Sequence, residues 1–192
     1  MHWWHAVHSA LWDRLELLER SLPWYESILP AAKATAERQG YEGARWPKMV
    51  GSDGRESPSN VGVFLTWQQP HPIHYAELCY RAHPDRETLE RYQRLVFETA
   101  QFMASYPVWD EENHRYVLGP AMIPARESYG SDRSGNLNPT FELACWHWGL
   151  ETAQKWRQRL GLERMPKWDA VLRGLSCPNI REGVYTGIET PP

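Results

Sequence analysis

The segment from Asp85 to Met103 reads DRETLERYQRLVFETAQFM and predicts the best-defined helix of the chain. Asp85 is a preferred N-cap residue, because its carboxylate accepts a hydrogen bond from a backbone N–H of the first turn. Glu87 in that turn interacts favourably with the helix dipole. Apolar residues then recur at the spacing of one helix face, at Leu89, Tyr92, Val96, Ala100 and Met103. The segment therefore predicts an amphipathic helix that packs against a core.

Further helices are predicted on both sides of this one from the same apolar periodicity. They cover about residues 4–20, 23–40, 63–81, 139–160 and 167–175. Pro30 is expected to kink or split the second of these segments, because proline lacks the N–H that an interior helical position needs. The residues from Tyr116 to Pro120 predict a short strand.

Two long irregular stretches, residues 41–60 and 107–138, separate three successive pairs of helices. Loops of this length in a compact domain are usually functional or disordered. The order predicts an all-α fold whose αα-hairpins form part of an (α/α)6 barrel or toroid, with long functional loops. Three hairpins are too few to close a ring of six. Residues 1–192 are therefore expected to be a single partial domain that looks truncated at both ends.

Composition excludes several classes of protein. The chain has 21 Lys and Arg against 24 Asp and Glu, a net charge of −3, which argues against a general nucleic-acid binder. No apolar run approaches the roughly 20 residues of a membrane-spanning helix. The first residues lack the pattern of a signal peptide, so a cytoplasmic location is the default expectation. The three cysteines form no CxxC pair, and neither a metal site nor a cofactor is predicted.

The 11 Trp, 9 Tyr and 4 Phe residues allow two interpretations. Large rings fill helical cores, and they also line pockets that stack against flat ligands such as sugars. Both long loops place carboxylates beside arginine and an aromatic ring. Sugar hydrolysis needs two carboxyl groups, one protonated and one ionised, and aromatic surroundings raise the pKa of the acid by desolvation. The two loops are therefore the candidate site.

Two motifs in these loops resemble the catalytic domain of glycoside hydrolase family 65, one of the six-hairpin α/α-barrel glycosidases. Residues 40–47, GYEGARWP, are similar to the segment that begins a substrate-site loop in that family. Residues 116–129, YVLGPAMIPARESY, are similar to its Gly-Pro-Asp-Glu-Tyr segment, with the Gly and Asp replaced and one residue inserted before Glu127. A helix preceded by Asn follows in both, and the resemblance spans about residues 40–160.

The resemblance implies roles for individual residues. Glu127 matches the general acid that protonates the glycosidic oxygen, and Arg45 and Trp46 would line the sugar subsite. Asp53, Glu56 and Arg126 are further candidates for substrate contacts, with Asp53 or Glu56 as the second carboxylate. Family members have a catalytic domain about twice as long, so self-association or a partner chain would complete the barrel.

Other interpretations of the same residues remain open. Glu127 beside Arg126 also fits an ordinary loop ion pair, Trp46 fits a core residue, and Asp53 and Glu56 fit solvated loop charges. The leading hypothesis is inverting cleavage of a glycosidic bond in a small glycoside or oligosaccharide, with water or inorganic phosphate as nucleophile. The alternatives are a non-catalytic helical module that binds a glycan or protein through aromatic residues, and a helical interaction protein unrelated to sugars.

Overall fold

The computed structural model describes residues 3–127 and 135–190 of the chain, and these are mostly helical. The helices are α1 (Trp3–Leu11), α2 (Leu15–Glu19), α3 (Leu22–Arg38), a 3₁₀ turn (Gly62–Phe64), α4 (His71–Ala82), α5 (Arg86–Ser105), α6 (Thr140–Arg159) and α7 (Pro166–Gly174). The strands are β1 (Val108–Asp110), β2 (Arg115–Val117), β3 (Ile180–Arg181) and β4 (Val184–Tyr185). The predicted all-α class is thus confirmed at the level of a mainly helical fold.

Helix α5 forms as its sequence predicts. The Asp85 carboxylate accepts a hydrogen bond from the Thr88 backbone N–H at 2.8 Å, which satisfies one of the free donors of the first turn. The predicted apolar face is buried, and α5 packs against both α4 and α6. These three helices form the centre of the core.

Two predicted helices have wrong bounds, and of the kink or split expected at Pro30 the split does not occur. The first segment divides into α1 and α2 at Asp13, whose φ of 55° is left-handed and incompatible with a continuous helix. The third segment is helical only from His71, because Pro70 occupies the N-cap and Pro72 lies in the first turn, where a missing N–H costs nothing. Pro30 does not split α3, which continues through it to Arg38.

Much of the tryptophan content serves the core. Trp146 and Trp156 are fully buried and Trp168 nearly so. The indole N–H of Trp146 donates to the Met103 carbonyl at 2.7 Å, and that of Trp156 donates to the Glu77 carboxylate at 2.8 Å. The Trp168 indole N–H donates to the Gln101 side-chain oxygen at 3.0 Å. A buried indole that keeps its hydrogen bond contributes a large apolar area without an unpaired donor. These three residues follow the core interpretation and not the ligand-stacking one.

Two short antiparallel hairpins and three isolated bridges complete the described part of the fold. Strand β1 pairs with β2, as the predicted strand near Tyr116 requires, and β3 pairs with β4 in a segment where the sequence predicts no regular structure. The Ile123 N–H donates to the Phe64 carbonyl at 2.9 Å, next to a parallel bridge between Leu65 and Ile123. This contact joins the two long loops. Among the helices of the described ranges, none is long and apolar enough to cross a membrane.

Candidate functional site

A cleft of about 790 Å³ lies where α1, α4 and α6 meet the two long loops, and we call it the aromatic cleft. Its walls are mostly rings, from Trp3, Trp4, Trp67, His71, His74, Phe141 and Trp148. Three charged side chains also border it: Lys48 from the first loop, Glu127 from the second and Arg81 from α4. A volume of this size is typical of small-molecule sites.

One wall of the cleft is held by His74. The Trp3 indole N–H donates to His74 Nδ1 at 3.3 Å, and the Trp148 and His74 ring centroids are 5.2 Å apart. Burial, with a smaller contribution from the positive charge of Arg81, lowers the pKa of His74 to about 4. His74 is therefore neutral at physiological pH, so Nδ1 is free of a proton and accepts the Trp3 bond. The ring connects α1 to α4 and α6 and serves as an apolar wall.

Glu127 lies at the cleft and forms an ion pair there. Its Oε1 is 2.5 Å from Lys48 Nζ, and Lys48 Nζ is 6.0 Å from the centroid of the Trp67 ring. The Glu127 side chain is 40% exposed and the Lys48 side chain 28%, so ligand atoms can reach both. Arg126 is exposed and does not border the cleft. Ser128 and Tyr129, which complete the second motif, lie outside the described residues.

Arg45, predicted to contact the sugar, is buried in the core and does not line the cleft. Its side chain is 1% exposed, and its guanidinium donates to the Leu65 carbonyl at 2.5 Å, the Trp46 carbonyl at 3.3 Å and Gln69 Oε1 at 3.4 Å. Burial lowers the pKa of Arg45. The guanidinium satisfies backbone carbonyls where the first loop packs against the core, so Arg45 positions the loop and leaves no donor facing the cleft.

Trp46 is a core residue on one side and a cavity wall on the other. It is 4% exposed, and its indole N–H donates to Thr99 Oγ1 at 2.9 Å. The ring does not reach the aromatic cleft, but it lines a second space of about 150 Å³, which we call the inner cavity. Lys48, Trp67 and His71 line both spaces, so the inner cavity adjoins the cleft.

Asp53 and Glu56 do not join Glu127. Both lie along a shallow surface depression beside α3, with Arg55 between them. Asp53 Oδ1 accepts a hydrogen bond from the Arg55 backbone N–H at 3.0 Å, as in an ordinary loop turn. Neither carboxylate borders the aromatic cleft, so the structure does not bring either of them together with Glu127 there.

The carboxyl group whose environment resembles that of a protonated acid is Glu142, which sequence reasoning missed. Glu142 is fully buried in the first turn of α6, and its Oε1 accepts a hydrogen bond from the Ala125 N–H at 2.6 Å. Within the described residues, no donor reaches its other carboxyl oxygen. Burial raises the pKa of Glu142 to about 7, against the opposing effect of backbone N–H groups. Its neighbours Phe141 and Cys145 line the cleft, whereas Glu142 lies behind that wall.

Glu142 therefore supports the loop that carries Glu127 and does not itself meet a ligand in the cleft. In the sequence it looks like any acidic residue of a first helical turn, and no pattern distinguishes it. Within residues 3–127 and 135–190, no group of three His, Cys, Asp or Glu side chains is arranged to hold a metal ion. No model of a known protein family matches this chain, and a search of curated proteins also finds no match.

Proposed function

We propose that the aromatic cleft binds a small glycoside or oligosaccharide and that Glu127 protonates the glycosidic oxygen during inverting cleavage. The observation that carries this proposal is the position of Glu127, paired with Lys48, at an otherwise aromatic cleft of about 790 Å³. Indole rings offer flat apolar faces to the C–H faces of sugars, and a carboxyl group among them is suited to proton transfer.

The reaction needs the Lys48–Glu127 pair to open. A general acid acts as a neutral carboxyl group, so Glu127 must take up a proton as the ligand enters. The proton then passes to the leaving oxygen while the bond from that oxygen to the anomeric carbon breaks. Inorganic phosphate as co-substrate forms the new bond from the opposite face with one of its ionised oxygens, which has no proton to lose. Water in its place would have to pass a proton to a general base from the chain that completes the barrel, because no second carboxylate of the described residues borders the cleft. The Lys48 ammonium has the charge that a phosphate co-substrate requires.

The helical hairpins would belong to an incomplete (α/α)6 barrel. Exposed apolar side chains on α1, α2 and the turn between them support this idea, since Trp4, Leu11, Trp12 and Leu17 are all more than half exposed. A second copy or a partner chain that completes the barrel would cover them.

The test compares Glu127→Gln with Glu37→Gln, which alters an exposed carboxyl group on α3. Disaccharides and aryl glycosides are supplied with and without inorganic phosphate, and released sugar or sugar phosphate is measured. We expect Glu127→Gln to abolish cleavage while glycoside binding persists, and Glu37→Gln to behave as the parent. Undiminished turnover by Glu127→Gln would remove Glu127 from the mechanism.

A non-catalytic glycan-binding module is the second candidate. It is favoured because Glu127 forms an ion pair with Lys48. The carboxyl group with a raised pKa, Glu142, lies behind the cleft wall. This candidate predicts saturable sugar binding that depends on Trp67 and Trp148, with no product from any glycoside. Product formation that is lost in Glu127→Gln decides against it.

A further inference from the structure

The inner cavity lies between α3 and the first long loop, and it shares Trp67 with the aromatic cleft. Two of the contacts that hold the loop against α3 involve residues that line this cavity. The Trp24 indole N–H donates to the Ser52 carbonyl at 3.0 Å, and Gly54 is buried with φ of 79° where a Cβ would lie 2.8 Å from Ile28 Cβ. These contacts keep the cavity walls close together without filling the space between them.

Gln68 lines this cavity and has a buried acceptor without a partner. Both of its side-chain N–H groups are engaged, since Nε2 donates to the Trp46 and Leu65 carbonyls, each at 2.9 Å. These bonds fix the orientation of the amide, so the remaining atom is an oxygen acceptor. Gln68 is 7% exposed, and no donor in the described part of the chain reaches Oε1. A buried acceptor without a partner is costly unless a ligand or water supplies a donor.

The remaining walls determine the size and polarity of a fitting ligand. Trp24, Tyr25, Trp46 and Trp67 contribute rings, and Ile28 and Ala32 contribute aliphatic groups. A cavity of about 150 Å³ that opens towards solvent has room for one six-membered ring and not for two. Among the described residues Lys48 donates to Glu127, and its ammonium has two further N–H donors that can face an incoming oxygen. The occupant is thus one ring with apolar faces, at least one hydroxyl donor and no positive charge.

We propose that the inner cavity binds one neutral hydroxylated six-membered ring of the hexose class, with a ring hydroxyl donating to Gln68 Oε1. The assignment to a sugar rests on the proposed function, whereas the size and the hydroxyl requirement come from the cavity. Because Lys48 and Trp67 line both spaces, a glycoside would place one ring in the inner cavity and the rest of the molecule in the aromatic cleft.

The first test uses the unmodified chain and the indole N–H signals in two-dimensional NMR spectra. D-glucose, D-galactose and D-mannose are the probes, and benzene is the apolar comparison. At least one hexose is expected to shift the Trp24, Trp46 and Trp67 signals and to leave that of the exposed Trp12 unchanged. The proposal would be overturned if hexoses shifted no signal, or only those of Trp3 and Trp148. It would also be overturned if benzene alone caused shifts, because the cavity would then be an ordinary packing void.

The second test fills the cavity. Ala32→Leu adds three carbon atoms to its wall, and Ala34→Leu makes the same change at an exposed position of α3. We expect the Kd of the shifting hexose to rise about tenfold or more in Ala32→Leu, equivalent to at least about 1.4 kcal/mol, and to stay unchanged in Ala34→Leu. Equal affinity in a folded Ala32→Leu would overturn the proposal. Should overpacking prevent Ala32→Leu from folding, the indole shifts of the parent chain decide.

The outcomes separate this proposal from the proposed function. Hexose shifts at Trp24 and Trp46 without cleavage of any glycoside would support the cavity and remove the enzymatic role. Cleavage that depends on Glu127, without hexose shifts at these two residues, would support the enzyme and overturn the cavity.

Discussion

The buried carboxyl group of Glu142 makes the stability of this protein fall as pH rises. Burial in the first turn of α6 raises its pKa from the ordinary 4.5 to about 7, so between these values the folded state holds a proton that the unfolded state has released. Stability decreases with pH wherever the folded state binds more protons. The free-energy cost of ionising Glu142 in the folded state is absent below pH 4.5 and complete once the pH has risen through 7.

The size of this effect follows from the shift. Each pKa unit corresponds to about 1.4 kcal/mol, so a rise from 4.5 to about 7 makes the ionised protein about 3 kcal/mol less stable than the protonated one. Glu142→Gln removes the titration and keeps an oxygen that can accept from the Ala125 N–H. The variant should match the parent near pH 4 and exceed its stability by about 3 kcal/mol above pH about 8.

Urea denaturation followed by circular dichroism across this pH range measures the difference directly. For a chain of this size, a stability gain of about 3 kcal/mol moves the urea midpoint upward by about 1 M at the alkaline end. Glu37→Gln controls for the loss of one negative charge at an exposed position of α3. Parallel stability curves for Glu142→Gln and the parent at every pH would refute the reasoning, because Glu142 would then carry no burial penalty.

Three further changes test the packing around the site. Asp85→Ala removes the N-cap bond to Thr88 and should lower the midpoint of urea denaturation; a midpoint unchanged within error would contradict the capping role. Glu77→Gln leaves Arg159 without its partner at 2.7 Å and should cost about 3 kcal/mol at neutral pH. Burial opposes ionisation of Glu77, but hydrogen bonds led by the one from Arg159 outweigh it and lower the pKa of Glu77. The difference in stability between variant and parent should therefore shrink as pH falls below 4.5. A difference that stays constant with pH would count against this assignment. Gly43→Ala places a Cβ 2.3 Å from a backbone oxygen of α5 at a φ of 70°, and we expect a loss of more than about 2 kcal/mol in thermal melts, whereas an unchanged melting temperature would show that this loop does not pack as described.

The two loop motifs illustrate how far residue patterns lead towards a site. The resemblance to family 65 directed attention to Glu127, and Glu127 does border the aromatic cleft. The same resemblance assigned a sugar contact to Arg45, which instead donates to the Leu65 carbonyl in the core. A motif records which residues occur together in a loop. It does not record which of them face solvent, because that depends on the helices against which the loop packs.

Local signals in the sequence determined the elements that depend on neighbouring residues. Asp85 caps α5 and Pro72 occupies the first turn of α4, because a cap and a proline act within one helical turn. Only the tertiary structure decided that Glu142 is buried with a raised pKa and that Gln68 keeps an unused oxygen beside the inner cavity. Burial and hydrogen-bond partners arise from contacts between residues far apart in the chain, and those contacts set the free-energy cost of a charge or an unpaired acceptor.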